Sequence, residues 1–359
     1  MNLDDLEENI IDRLALFEET GVTEYVPLSS AVDDYIEFSK HPERRVWTGI
    51  KEIDEATRGL APSELALING FAHNGKTVLV IEILLKNEGK VCILFTPDET
   101  RTAVLVKLAS SEWGISAEEF ERRLNQGDTE AERMLREIAE RFKNLAVFDE
   151  NVSLRSMDTA IESVREAVGE PAFCVFDYAD LLNSELDTKG KLKALKAWGK
   201  DHDLPFFVLH QSSRSGGAGG QQVTMTSGGY GGESEAFIMI GVRRKINMYR
   251  EQVRQLQERA DNTSNDKAYQ KLVDRIRYIE DDLIPRHRDT ITINLMKNKR
   301  PPMHLVDDID FKLDQNTGRL IRIKFDGDDP DEEPPLPLPE TFKTGGSARS
   351  MILNKKETL

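Results

Sequence analysis

Cysteine is scarce. Cys92 and Cys174 are the only two, each inside a strongly apolar run, KVCILF and AFCVFD. That placement reads as two reduced core residues and excludes a disulfide scaffold or a thiolate metal cluster. The six histidines are scattered, without zinc-ligand spacing. No stretch approaches the roughly 20 apolar residues that span a bilayer. The acidic opening MNLDDLEENI lacks the basic-then-apolar layout of a signal peptide, so a cytosolic protein with no membrane partner is expected. Positive charge is also in deficit, with 48 Lys and Arg against 64 Asp and Glu, for a net charge of −16. A broad DNA-coating surface needs cations to displace counterions, and this balance excludes one. The acid is concentrated near the ends, in residues 1–20 and from Asp326 to Glu333. Any contact with nucleic acid must therefore be local, such as a basic loop lining a channel.

What is present divides the chain into three parts. In residues 1–45, Leu3, Leu6, Ile10, Leu14 and Phe17 recur every three or four positions, which predicts an amphipathic helix. A loop with Pro27 and a short second helix around Val32 to Phe38 follow. This lead-in is too small to bury itself, so it packs on its own domain or docks on a neighbouring subunit. Residues 46–325 carry short, continuous apolar runs: ELALING, VCILF, LAVF, AFCVF, PFFVLH and FIMIGV. Helical segments separate the first five, the pattern of a mainly parallel sheet covered on both faces, and hence of an α/β fold. Residues 213–232 hold so much Gly and Ser that a mobile loop is expected. Residues 246–284 predict a helical-hairpin insertion. One stripe is Ile246, Tyr249, Val253 and Leu256, the other Leu272, Ile276, Ile279 and Leu283, with a polar turn between them. DTITINLMK alternates like a strand, and a closing hairpin should turn near Asn316 to Gly318. Residues 326–359 are acidic, then Pro-rich, then polar, and read as a disordered tail.

The chemistry concentrates in Gly70-Phe71-Ala72-His73-Asn74-Gly75-Lys76-Thr77, which fits the phosphate-binding pattern of Gly, four residues, Gly-Lys-Thr. An apolar strand enters this loop and an apolar helix leaves it. Glycines let the backbone wrap tightly, so successive N–H groups face phosphate oxygens, and the helix N-terminus adds partial positive charge. In such a loop Lys76 reaches the β- and γ-phosphates of ATP, and Thr77 offers a hydroxyl to Mg²⁺. A second metal carboxylate belongs at the end of another strand. Asp177 in CVFDY is placed for it, and Asp149 in AVFDE competes. Hydrolysis also needs an acid to orient water. Asp98 and Glu99 both follow the strand after the loop helix, and the spacing leaves both open.

Taken in order, TGIKEID, SEL, GFAHNGKT, LFTPDET, VFDYADLL, VLHQSSRS and LMKNKRPP resemble the motor domain of the DnaB-type ring helicases, which share the RecA fold. The resemblance covers roughly residues 46–325. It implies a RecA-like P-loop NTPase that assembles into a ring of copies, a hexamer in this family, and works on single-stranded DNA in replication. It places Asp98 where the family has its catalytic acid, normally Glu. It also makes Asp177 the second metal carboxylate and Gln211 the polar sensor of the γ-phosphate. Lys297 matches a family lysine, and Lys299 falls at the arginine finger that acts on a neighbouring subunit's nucleotide, with Arg300 one residue along. The DNA loops correspond to Asn183–Lys191 and residues 213–232, offering Lys189, Lys191 and Arg214. Cellular members carry a large N-terminal domain, against about 45 residues here, so a compact version from a phage or mobile element in a bacterial cytosol is expected. The acidic tail would recruit replication partners. A filament-forming recombination ATPase, a nucleotide-switched binding module and a nuclease are the competing classes.

Overall fold

The computed structural model of the chain describes residues 28–211 and 234–323. The expected helix over residues 1–20, the Gly-rich loop 213–232 with Arg214, and the tail 326–359 lie outside the described residues. Two compact units divide at Pro42. In the first, the helix α1 (Ala31–Lys40) occupies the place expected for the second lead-in helix and leaves Val32, Tyr35 and Ile36 exposed.

The second unit is built on one nine-stranded sheet, ordered β3-β2-β4-β5-β1-β6-β7-β8-β9. Its strands are β1 (Leu65–Gly70), β2 (Cys92–Phe95), β3 (Leu145–Phe148), β4 (Phe173–Phe176), β5 (Phe206–Gln211), β6 (Ile238–Arg244), β7 (Thr290–Asn298), β8 (Val306–Leu313) and β9 (Leu320–Arg322). The first six run parallel, and β7 to β9 close the far edge as an antiparallel meander. The apolar runs of the sequence thus form the strands they predict.

These strands read as continuous apolar runs because helices cover both faces. Successive residues alternate between two cores. Ala66, Ile68, Leu94, Val175 and Leu209 face one core, packed with α2 (Lys51–Thr57), α3 (Lys76–Lys86), α4 (Arg101–Trp113), α5 (Ala117–Asn125) and α6 (Thr129–Arg141). Leu67, Phe95, Phe176 and Val208 face the other, packed with α7 (Leu154–Val168) and α8 (Thr188–Asp201). Cys92 and Cys174 are buried and free, one in each core. Burial pushes both thiols above their ordinary range.

Most helices start on a side-chain cap. Thr100, Ser116, Asp128, Ser153 and Asp187 each accept a hydrogen bond from the first turn of α4 to α8 respectively. No side chain caps α3, which leaves β1 through the glycine-bearing loop. The TGIKEID segment ahead of β1 is braced by Asp54, whose carboxylate accepts from Thr48 N at 2.7 Å, Thr48 Oγ1 at 2.8 Å and Gly49 N at 3.0 Å.

The predicted hairpin is present as α9 (Lys245–Asp261) and α10 (Asp266–Tyr278), inserted between the paired strands β6 and β7. Asn265 caps α10 by accepting from Ala268 N at 3.1 Å. The two helices pack on each other, as expected from their stripes, and Val253, Ala260 and Ile279 are buried. No described helix is long and apolar enough to cross a membrane.

Candidate active site

In a parallel sheet all carboxyl ends lie along one edge. Here that edge gathers Gly70 from β1, the Thr96–Glu99 turn after β2, Asp177 after β4 and Gln211 at the end of β5. Register fixes their neighbours: Phe95 lies beside Phe176, Phe176 beside Val208, and Gly70 beside Gln211. The Asp177 N–H also donates to Phe95 O at 2.8 Å, extending the ladder one residue past β4.

The loop 70–77 has the conformation its glycines permit. Gly75 sits at φ 94°, and a Cβ there would lie 2.6 Å from Ile291 Cδ1. A Cβ on Gly70 would lie 2.4 Å from Val242 O, because β6 runs close beside the loop's origin. A side chain at Gly70 would force the backbone of β6 to move, and one at Gly75 would be strained by its left-handed φ. His73 stands exposed at the apex with φ 60°, and Asn74 is buried. The Lys76 ammonium lies within the cradle, donating to Gly70 O at 2.8 Å and Phe71 O at 3.0 Å. Burial lowers its pKa to about 8, against the pull of Asp177. Loop, lysine and uncapped helix start together form a site for a polyanion.

Thr77 Oγ1 donates to Asp177 Oδ2 at 3.0 Å, joining residues 100 apart in sequence. Burial raises the Asp177 carboxyl to about 6. The Thr77 bond opposes that rise, the nearby charge of Glu99 adds to it, and Lys76 lowers it again. A buried carboxylate held above its usual range beside a hydroxyl is a place where a cation is favoured. No cluster of three or more His, Cys, Asp or Glu side chains suited to a metal occurs among the described residues. The Thr77 hydroxyl and the Asp177 carboxylate together offer the one or two protein oxygens that Mg²⁺ takes when phosphate and water complete its shell.

The two acids after β2 differ. Glu99 is half-buried, ion-paired with Lys107 of α4, and near enough to Asp177 to raise its carboxyl. Asp98 is exposed, and its charge acts on Tyr178. Asp149, the competitor for the metal carboxylate, instead accepts from Arg101 N at 2.9 Å at the start of α4. Beside Thr77 opens a cavity of about 240 Å³, lined by Ile81, Ser110, Ser111 and the Asn316–Gly318 turn. Sequence reasoning missed this wall because its halves come from opposite ends of the domain.

The basic residues after β7 separate sharply. Arg300 is turned into its own subunit, where it donates to Thr57 O at 2.6 Å and Gly59 O at 2.8 Å, pairs with Glu64, and lies over the Phe237 ring. A guanidinium held by these partners is engaged within its own chain. Lys299 is exposed. The expected DNA loop at Asn183–Lys191 is shorter than predicted. Asp187 caps α8, which places Lys189 and Lys191 in its first turns, and Lys191 Nζ donates to Asp180 O at 2.8 Å.

The model of the DnaB-like helicase C terminal domain matches residues 46–227. This chain belongs to that family. Among relatives of this DnaB-like domain, a probable replicative DNA helicase of Guillardia theta is 24% identical over 202 residues, covering 51% of this chain and 33% of that protein. The replicative DNA helicase DnaB of Leifsonia xyli subsp. xyli (strain CTCB07) is 24% identical over 222 residues, covering 55% of this chain and 48% of that one. The chain thus spans a third to about half the length of these relatives. A solved DnaB-like replicative helicase, described with its interactions with primase, shares the RecA-like fold. Its TM-score is 0.59 at 15% identity, over 88% of this chain and 72% of that chain.

The raised Asp177 carboxyl has a measurable consequence. Below about pH 6 a proton competes for the carboxylate, so affinity for Mg²⁺–nucleotide should fall as pH drops from 7 to 5. Asp177→Asn should abolish that acid limb in calorimetric titrations. The folded chain also holds this proton more tightly than the unfolded chain, so ionisation weakens the fold above pH 6. The ligand-free Asp177→Asn protein should accordingly melt a few degrees higher than wild type at pH 8.

Proposed function

We propose that this chain is the motor of an ATP-driven DNA helicase that tracks single-stranded DNA in replication. The observation that carries the reading is the Thr77–Asp177 pair at the mouth of a loop whose lysine and uncapped helix start favour a triphosphate. Lys76 would leave the loop carbonyls for the β- and γ-phosphates, and the cavity beside Thr77 would take the nucleoside. Mg²⁺ bound at Thr77 and Asp177 would neutralise charge on the phosphates. Glu99 has the stronger case as the acid that orients water, since it is half-buried and its charge acts on Asp177. Gln211, beside Gly70 in register, is suited to report the γ-phosphate to the segment that follows it. Lys299 would stabilise transition-state charge on a neighbouring subunit's nucleotide, which requires an oligomer such as the hexameric ring of the resemblance. Lys189 and backbone N–H groups would grip DNA phosphates without reading sequence.

ATP turnover should rise when single-stranded DNA is added. Lys76→Ala should lose at least about 100-fold in turnover and all displacement on a forked duplex; unwinding at the wild-type rate by that variant would end the helicase reading. Steady-state kinetics separate the two acids: Glu99→Gln should lower kcat by about 100-fold or more, with Asp98→Asn within about tenfold of wild type. The trans role of Lys299 is tested by mixing. Lys299→Ala and Lys76→Ala subunits, each inactive alone, should regain partial ATPase activity together. Arg300→Ala should instead lower the melting temperature by several degrees, because Glu64 and two carbonyls lose their buried partner.

A further inference from the structure

The helical hairpin between β6 and β7 touches the loop that cradles the phosphates. We propose that Asn247, in the first turn of α9, is a positioning residue for that loop and couples the hairpin to nucleotide affinity. Its Nδ2 donates to Asn74 Oδ1 at 2.7 Å. Asn74 is only 2% exposed and directly precedes Gly75. Its own N–H reaches Phe71 O at 3.3 Å, and Lys76 donates to the same carbonyl from within the loop. The amide from the hairpin is thus an external fastening on the loop's one buried side chain.

The root that presents Asn247 is rigidly held. Ile246 is buried beside it. Lys245 pairs with Asp310, which also accepts from Thr292 Oγ1 at 2.7 Å, and Arg243 pairs with Asp308. The Tyr249 and His287 rings, 5.5 Å apart, close the two ends of the insertion on each other. A side chain on such a base is fixed in place, and its hydrogen bond limits the conformations open to the loop. Loss of that bond frees the loop, and ligand binding must then order it again, which weakens affinity. By linkage, a ligand that orders the loop also steadies the root of the hairpin. The effect belongs to binding, because Asn247 touches no group that reacts.

This inference rests on residues 70–77 being a nucleotide loop, and the test separates the two. A fluorescent ADP analogue is titrated into the full chain as wild type, Asn247→Ala, Asn74→Ala and the double variant. Each single substitution should weaken binding about five- to tenfold, and the double should be no weaker than the worse single. The KM for ATP of Asn247→Ala should rise by the same factor, with kcat within about twofold of wild type. Should Asn247→Ala fold poorly by circular dichroism, Asn74→Ala probes the same bond from the loop side. Wild-type affinity in Asn247→Ala, or additive losses in the double, overturns this proposal alone. Failure of the wild-type chain to bind the probe overturns both it and the nucleotide reading.

Discussion

Everything at the site depends on a helix that begins without a side-chain cap. The start of α3 leaves N–H groups with no partner in the helix, and no side chain at its N-cap, Gly75, takes their place. Gly70 is pressed against the backbone of β6 and Gly75 against Ile291, so a side chain at either position would push into the cradle's walls. The other helices of the main body that follow β2 to β4 carry Ser, Thr or Asp caps. The uncapped start of α3 stands where a polyanion would supply the missing partner, with the Lys76 ammonium already inside.

The parallel sheet turns that local feature into a composite site. Because β1, β2, β4 and β5 point the same way, residues far apart in the chain end on one edge. Thr77 meets Asp177, the charge of Glu99 acts on Asp177, and Gln211 lies beside Gly70. Burial does the electrostatic work. The same removal of water raises the carboxyl of Asp177 and lowers the pKa of Lys76, leaving each group in need of an opposite charge. Two buried charged groups make this site less stable than neutral ones would, the usual relation between function and stability.

Two features outside the cradle bear on how it is used. Arg300 and Lys299 are neighbours with opposite fates, one buried among carbonyls and a carboxylate, the other exposed. The hairpin, tied to β8 by the Lys245–Asp310 ion pair, reaches back to Asn74. Both show the antiparallel edge of the sheet acting on the P-loop side, Arg300 by fastening the Thr57–Glu64 segment ahead of β1 and the hairpin by holding the loop itself.

Much of this was legible in the residues alone. The Gly-x₄-Gly-Lys-Thr loop, the apolar strands around it, the hairpin's two stripes and the closing turn near Asn316 all follow from patterns local to the chain. Backbone conformation and helix or strand period are set by neighbours in sequence, so sequence reveals them. Local pattern also marked Asp177 as a strand-end acid, and it left Asp98 against Glu99 and Lys299 against Arg300 unresolved. What tertiary packing adds is a partner for each long or charged side chain: Lys107 for Glu99, Glu64 and the Thr57 carbonyl for Arg300, Arg101 for Asp149. The contact between Asn74 and Asn247 spans 173 residues and carries no period or motif. Only the folded sheet, by bringing β6 alongside β1, decides that these two side chains meet.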